Sequence, residues 1–156
     1  MTWNRTRAGL ARLALLWAAV LATACGGDGK VTGPEPSVAP LVGDWAASAM
    51  VVTSLANPDV APDLIQLGAS FTLNVQPSGQ YTAILLYARQ ASTEIGFLSV
   101  SGNVVTMART FPSAATSSAL FTLEGNDLTL DGDTEFDFNL DGTPEPALAH
   151  LELAGR

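Results

Sequence analysis

The sequence has little of several residue types on which many binding and catalytic sites depend. Its 156 residues include one cysteine, one histidine and seven Lys and Arg residues against fifteen Asp and Glu residues. A single cysteine excludes an intramolecular disulfide. The net charge of −8 opposes binding to the phosphate backbone of nucleic acid. The longest apolar run is about 12 residues, too short for a bilayer core that needs about 20.

Signatures of catalysis are also missing. The chain has no Gly-x-Ser-x-Gly, no His-Glu-x-x-His and no glycine-rich phosphate loop. His150, the sole histidine, lies on a predicted strand and is interpreted as a packed or edge histidine. Asp131, Asp133 and Glu135 alternate along another predicted stretch, which is typical of a solvated face rather than of a catalytic carboxylate pair. We therefore expect that this protein is not an enzyme.

The amino-terminal residues, by contrast, form a recognisable series of segments. Arg5, Arg7 and Arg12 precede the apolar run 13–24 (LALLWAAVLATA), and small residues lead into Cys25. A positive segment, a short apolar segment and a small-residue cleavage site together predict a secretory leader. Residues 1–24 are thus predicted to be a signal peptide that is removed from the mature chain.

The segment Leu21-Ala22-Thr23-Ala24-Cys25 resembles the lipobox of bacterial lipoproteins. That resemblance implies lipidation of Cys25 and attachment to a membrane of the cell envelope through its acyl chains. Gly26 occupies the position at which an aspartate retains lipoproteins in the inner membrane, so the resemblance favours the outer membrane. The alternative is a plain signal peptide followed by an incidental free thiol.

The remaining 132 residues are enough for one domain with a core of its own. Residues 25–40 consist mainly of glycine, proline and small residues, which predicts a flexible tether. The domain is predicted to occupy residues 41–156. Without the leader, four basic residues face fifteen acids, a net charge of −11, and such a surface repels nucleic acid.

Short runs rich in Val, Phe, Tyr, Leu and Thr, separated by turn residues, predict an all-β barrel or sandwich. The predicted strands lie near 43–53, 70–76, 80–88, 95–101, 104–109, 119–124, 127–131, 134–138 and 147–153. Pro77-Ser78-Gly79, Gly102-Asn103 and Gly125-Asn126 predict hairpin turns between adjacent strands. The segment 81–87 is apolar on both faces, so we expect residues that precede it in the chain to cover the face that does not point into the core. A short helix or an irregular loop within residues 58–67 is the predicted cover.

Gly43 and Trp45 form the Gly-x-Trp with which the first strand of lipocalin-like barrels begins. Together with the hairpins, they make residues 41–155 resemble the lipocalin-like domain of many bacterial lipoproteins. The resemblance implies an up-and-down antiparallel β-barrel of about eight or nine strands, with one short helix. It also implies a small hydrophobic ligand and a basic residue on the motif tryptophan. Arg156 is the candidate for a cation–π contact with Trp45, which is otherwise a plain core aromatic.

Two functions remain open for such a barrel. An open interior predicts binding of a small hydrophobic ligand, whereas an interior filled by its own side chains leaves only the outer surface for function. The filling side chains would be Phe71, Leu73, Tyr81 and Leu85. The packed alternative is a surface or periplasmic interaction module with an unknown protein partner.

One loop has the spacing of a calcium site. Asp137, Asn139, Asp141 and Glu145 place side-chain oxygens at relative positions 1, 3, 5 and 9, and Thr143 offers a carbonyl at position 7. The loop resembles the Asp-x-Asn-x-Asp-Gly loops that join strands in extracellular proteins. The sequence thus predicts a structural Ca²⁺ site.

The alternative is an acidic turn without metal, since Asp, Asn and Gly are common turn residues for conformational reasons. Residues 124–152 contain nine acids and no Lys or Arg, so these carboxylates would repel one another without a cation. Apart from this possible Ca²⁺, the sequence indicates no cofactor.

Overall fold

The computed structural model describes residues 37–139 and 141–156, which form an all-β, up-and-down antiparallel barrel. A 3₁₀ turn, Ala39–Leu41, precedes the strands. Eight strands follow: β1 (Gly43–Ser54), β2 (Ser70–Val75), β3 (Gln80–Tyr87), β4 (Gln90–Ser101), β5 (Val104–Phe111), β6 (Ala115–Glu124), β7 (Asp127–Phe136) and β8 (Glu145–Gly155). Each strand pairs with its sequence neighbours, and β1 pairs with β8 to close the barrel. The predicted barrel is confirmed.

Three tight connections, β2–β3, β4–β5 and β6–β7, lie at one end of the barrel, which we call the turn end. Gly102 and Gly125 have φ values of 61° and 64° and sit between the pairs Ser101↔Val104 and Glu124↔Asp127. Positive φ at the first of two turn residues is typical of type II′ hairpins and favours glycine. The hairpins predicted at these glycines are confirmed.

The other four connections form the loop end, at residues 55–69, 88–89, 112–114 and 137–144. The β3–β4 turn consists of Ala88 and Arg89, whose φ values of 50° and 64° are unusual for residues with a side chain. Both positive values are typical of a type I′ hairpin, normally made by Asn-Gly. No glycine or asparagine marks this turn, which explains why the sequence did not predict that β4 begins as early as Gln90.

The barrel has eight strands, because the two strands predicted at 127–131 and 134–138 form the single strand β7. Gly132 lies between them but does not interrupt the strand. A Cβ atom at Gly132 would lie 3.0 Å from the carbonyl oxygen of Ser118 and 3.1 Å from the Cβ of Ala119. Gly132 therefore allows close approach to β6 rather than ending the strand.

The helix considered for residues 58–67 is not formed, and the segment is a loop with two turns. In the first turn the Val60 N–H donates to the Asn57 carbonyl at 2.9 Å, and in the second the Leu67 N–H donates to the Asp63 carbonyl at 3.2 Å. Upstream, Val52 and Ser54 of β1 donate their N–H groups to the carbonyls of Pro62 and Val60, each at 3.0 Å. These carbonyls pair with β1, so tertiary pairing takes precedence over local helix preference.

This segment does not cover the outer face of β3 either, which corrects the second part of that prediction. Ile84 and Leu86 point outward and remain 42% and 43% exposed. Leu64 and Ile65 instead pack at the loop end with Val52 and Ala147. The loop thus contributes to the core at the mouth of the barrel rather than to a layer outside it.

The described residues form two buried clusters, one at each end of the barrel. The cluster towards the turn end includes Leu41, Trp45, Val75, Tyr81, Leu98, Val100, Val105, Leu128 and Leu153. The cluster at the loop end is smaller and centres on Val52, Leu64, Ala69 and Ala147. Phe136 and Phe138 add an edge-to-face pair, with ring centroids 5.0 Å apart. The space between these clusters is where the candidate site lies.

Candidate functional site: the barrel cavity

A cavity of ≈ 970 Å³ occupies the interior of the barrel above the turn-end core. Residues of β2, β3, β7 and β8 alternate between inward-facing and outward-facing positions along each strand. The inward-facing ones at the base of the cavity are apolar. The apolar lining includes Met50, Phe71, Leu73, Tyr81, Ala83, Leu85, Met107, Leu130, Ala149 and Leu151. The four residues predicted to fill the interior, Phe71, Leu73, Tyr81 and Leu85, therefore line a cavity.

One wall of the cavity is charged. Arg109 of β5 donates from Nη1 to Oε1 of Glu94 on β4 at 2.6 Å, and from Nε to the carbonyl oxygen of Ser113 at 3.0 Å. The two side chains are 28% and 43% exposed and both line the cavity. This pair brings a cation and an anion to the same wall of an otherwise mainly apolar interior.

The local geometry depends on Gly96. The β4–β5 register shifts between Ile95 and Gly96, so that Gly96 pairs with Arg109. A Cβ at Gly96 would meet the carbonyl oxygen of Ala108 and lie 2.8 Å from Cε1 of Tyr81. Glycine therefore lets the Tyr81 ring lie directly against β4, below Glu94 and Arg109.

Tyr81 places a phenol beside the ion pair. Burial is the main cause that raises its pKa above the ordinary value of 10.0; the Glu94 charge raises it further and the Arg109 charge lowers it. The phenol is thus protonated at neutral pH and is a potential hydrogen-bond donor. Glu94, Arg109 and Tyr81 together give the cavity a polar subsite, which we call the polar wall.

The cavity extends to a gap between β6 and β7. Within the described residues, the β6–β7 ladder ends at the pair Ala119↔Gly132. From there to the loop end, residues 115–118 pair only with β5 and residues 133–136 only with β8. Residues 115–118 and 133–135 line the cavity. We call this gap the β6–β7 slot.

The sequence did not predict the polar wall. Glu94 lies just before the strand predicted at 95–101 and Arg109 ends the strand predicted at 104–109, and no role was predicted for either. The sequence did contain one signal of this site, a charged residue within a run of strand-forming residues. Such a residue is uncommon on a buried face, so one that points inwards indicates a site. Recognising the pair required the register between β4 and β5.

The acidic loop lies at the loop end between β7 and β8, and its side chains bond mainly to its own backbone. The Asp137 carboxylate accepts the N–H groups of Asp141 and Gly142 at 3.1 Å and 2.7 Å. Asn139 Oδ1 accepts the Asp141 N–H at 2.9 Å, and Asp141 Oδ1 accepts the Thr143 N–H at 2.8 Å.

Glu145 also turns towards this loop. Its carboxylate accepts the Phe138 N–H and the Asn139 side-chain amide, each at 3.0 Å. In residues 37–139 and 141–156 no group of three or more His, Cys, Asp or Glu side chains is arranged to hold a metal ion. Both alternatives stay predictions: a Ca²⁺ site and an acidic turn without metal.

His150 lies on the outer face of β8, which pairs with both β1 and β7 and is therefore not an edge strand. Its Nδ1 is 2.6 Å from Oδ1 of Asp131, and its Nε2 is 3.5 Å from Oε1 of Glu152. The Asp131 hydrogen bond is the main cause that raises the pKa of His150, and partial burial opposes it. Asp131, Asp133 and Glu135 are all exposed, in agreement with a solvated face.

Trp45 is buried at the turn end, where its Nε1 donates to the carbonyl oxygen of Leu41 at 2.9 Å. Gly43 begins β1 beside it. Arg156 is exposed and reaches β1 through its backbone N–H, which donates to the Asp44 carbonyl at 2.9 Å. The aromatic contacts of the described residues do not include Trp45 with Arg156, so Trp45 is described by the plain core-aromatic alternative.

Cys25, the predicted signal peptide and most of the predicted tether lie outside the described residues. In the part of the chain that is described, no helix has the length and apolar character needed to cross a membrane. Comparisons of the chain with protein-family models, with curated proteins and with solved structures found no match.

Proposed function

We propose that this protein is a lipid-anchored protein of the bacterial cell envelope whose barrel binds a small, largely apolar molecule in its interior. The observation that supports binding is the cavity of ≈ 970 Å³ between the two buried clusters. Ligand pockets in proteins occupy about 300–1,000 Å³ and are mostly apolar with a few polar groups. The lining of this cavity has that composition.

Binding is tested by native mass spectrometry of protein purified without detergent, followed by titration with the uncharged dye Nile red. We expect a co-purifying apolar molecule or saturable dye binding. Ala149→Trp, which fills the cavity, should abolish dye binding. Ala154→Trp is the matched control, because Ala154 lies on the same strand but is exposed. Equal dye binding by both variants, or none by the unaltered protein, contradicts an interior site.

The anchor is proposed from the sequence around Cys25. Several acyl chains hold a protein on a membrane because each buried methylene contributes about 0.8 kcal/mol. We expect Cys25→Ser to release the protein from the membrane fraction and to block leader cleavage, whereas Gly27→Ser changes neither. Normal processing and membrane association of the Cys25→Ser protein would show a plain signal peptide instead.

A second candidate function is an interaction module, favoured by the outer face of β3. Ile84 and Leu86 are exposed there, next to Thr93 and Ala91 of β4 in the ladder. Paired replacement by Thr at both positions separates the two functions. Loss of a protein partner with unchanged dye binding supports the module, and unchanged partners with intact dye binding leave the cavity as the functional site.

A further inference from the structure

The polar wall provides hydrogen-bonding groups that an entirely apolar ligand would not use. A cavity for a plain hydrocarbon has no use for an ion pair, since bringing charges into an apolar interior costs free energy. The Arg109 guanidinium has five N–H groups, and its contacts with Glu94 and Ser113 account for two of them. Glu94 likewise uses one carboxylate oxygen, Oε1, for Arg109. The wall therefore offers both donors and acceptors to the cavity.

The charges around the cavity decide which head group suits this wall. Glu94 and Arg109 neutralise each other, so a ligand with a net charge adds one that nothing at the wall balances. Asp133 and Glu135, exposed at the rim of the β6–β7 slot, add negative potential and weigh further against an anion. A cationic head group is repelled by the Arg109 guanidinium at the wall itself. An uncharged group that both donates and accepts hydrogen bonds is not repelled by either charge.

We propose that the cavity binds an uncharged amphiphile, with its apolar part on the base and a hydroxyl-type or amide-type head group at Glu94, Arg109 and Tyr81. The inference rests on the proposed binding function and adds the chemical class of the ligand. The head group accepts from the Arg109 guanidinium or the Tyr81 hydroxyl and donates to the Glu94 carboxylate. The apolar part contacts Phe71, Leu130 and Leu151.

The test compares dodecanol, dodecanoate and dodecylammonium, three probes with the same chain and different head groups, as competitors of Nile red. We expect dodecanol to bind about tenfold more tightly than either charged probe, with dodecanoate the weakest. Measurements stay below the aggregation concentration of each probe, so that free monomer is compared.

Two neutralising variants should change this order in opposite directions. Glu94→Gln leaves Arg109 without its anion and should favour dodecanoate, whereas Arg109→Gln leaves Glu94 without its cation and should favour dodecylammonium. The double variant is neutral again and should recover the preference for dodecanol. A structural role of the ion pair alone would lower the melting temperature without this reciprocal change of preference.

Arg89→Gln and Glu124→Gln are the charge-matched controls, since Arg89 is exposed in the β3–β4 turn, Glu124 is exposed at the end of β6, and neither lines the cavity. They should leave the order of the three probes unchanged. If all probes bind but the cavity variants do not alter their order, the head-group proposal is wrong and the binding function stands. If no probe and no dye binds the unaltered protein, the binding function itself is wrong.

Discussion

Near the loop end, two pairs of adjacent strands are not hydrogen-bonded to each other along part of their length. The two gaps differ in whether another segment of the chain fills them. The β1–β2 ladder spans only Gly43↔Val75 to Ala46↔Thr72, although β1 continues to Ser54. The β6–β7 ladder stops at Ala119↔Gly132, although both strands continue towards the loop end.

The first gap is filled from within the chain. Val52 and Ser54 donate to the carbonyls of Pro62 and Val60, and Leu64 donates to the Met50 carbonyl at 2.8 Å. Asp63 Oδ1 adds two bonds, from the N–H of Met50 at 3.1 Å and of Ile65 at 3.0 Å. We call residues 60–64 the filler segment. Its Leu64 is 1% exposed, so the filler supplies apolar burial as well as pairing.

The second gap has no such filler among the described residues, and its rims are polar. Residues 115–118 are Ala-Thr-Ser-Ser, and residues 133–136 begin with Asp-Thr-Glu. Residues 115–118 and 133–135 also line the cavity. The comparison indicates that one gap is closed for stability, while the other leaves a side opening through which the interior meets solvent.

The largest expected effect is on the filled side. Leu64→Ala removes a buried side chain that packs on Val52 and Ala147, and should lower the free energy of unfolding by about 2–4 kcal/mol. The control is Leu120→Ala beside the slot, where a leucine that is 52% exposed should cost within about 0.5 kcal/mol. Urea unfolding of both variants measures the difference, and equal losses would contradict the contrast between the two gaps.

Hydrogen exchange should sharpen the comparison amide by amide. The N–H groups of Val52, Ser54 and Leu64 have carbonyl partners, so we expect them to be protected. In 115–118 and 133–136, alternate amides point into the slot and should exchange fast, while those facing β5 and β8 should be protected. These neighbours on the same strands are the internal control. Uniform protection along both stretches would mean that the slot is closed in solution.

The sequence predicted the strand faces well but not these gaps. Phe71, Leu73 and Val75 were predicted to share one face, and all three contribute to the buried interior. This worked because strand alternation is local and is repeated along the chain. The filler segment was interpreted as helix or loop since Leu64, Ile65 and Leu67 have a spacing that either permits. The unpaired N–H groups of β1 decided the outcome, and they are not a local feature.

The polar wall escaped prediction for a related reason. Glu94 and Arg109 lie 15 residues apart, and they meet because the bulge at Thr110, opposite Ile95 and Gly96, sets the register between β4 and β5. Nothing in either strand alone indicates that both side chains point inwards. The acidic loop was visible in the sequence because its bonds span two to seven residues. Local chemistry can thus be predicted from sequence, whereas contacts that depend on the register between two strands cannot.

A smaller effect is expected when the Asp63 carboxylate loses its charge. The N–H bond from Met50 is the main cause that lowers its pKa below 3.8; desolvation opposes this, and the Ile65 N–H reinforces it. Because the folded pKa is depressed, the contribution to stability is present above the unfolded value and is lost as pH falls through the folded pKa.

Asp63→Asn should therefore be less stable than the unaltered protein near neutral pH, and the difference should shrink as the solution is acidified. Thermal melts across the acid range provide the measurement. Asp59→Asn is the control, because Asp59 is exposed in the same loop and should not alter the acid dependence. A constant difference between the Asp63 variant and the unaltered protein at every pH would contradict the role of this carboxylate's charge.

The smallest expected effect lies beside the open slot, where His150 and Asp131 pair on the outer face of β7 and β8 at 2.6 Å. Asp131 also faces Leu120, one pair from the end of the β6–β7 ladder, so this bond lies next to the slot. The raised pKa of His150 means that its contribution to the stability of the folded state is fully present below the unfolded pKa of 6.5 and is lost as pH rises through the folded pKa.

His150→Gln should remove this loss of stability from melting curves recorded between about pH 5 and pH 9. High salt should weaken the dependence in the unaltered protein, because the pair is half-exposed and screened. A dependence that survives the substitution would assign it to groups other than this pair.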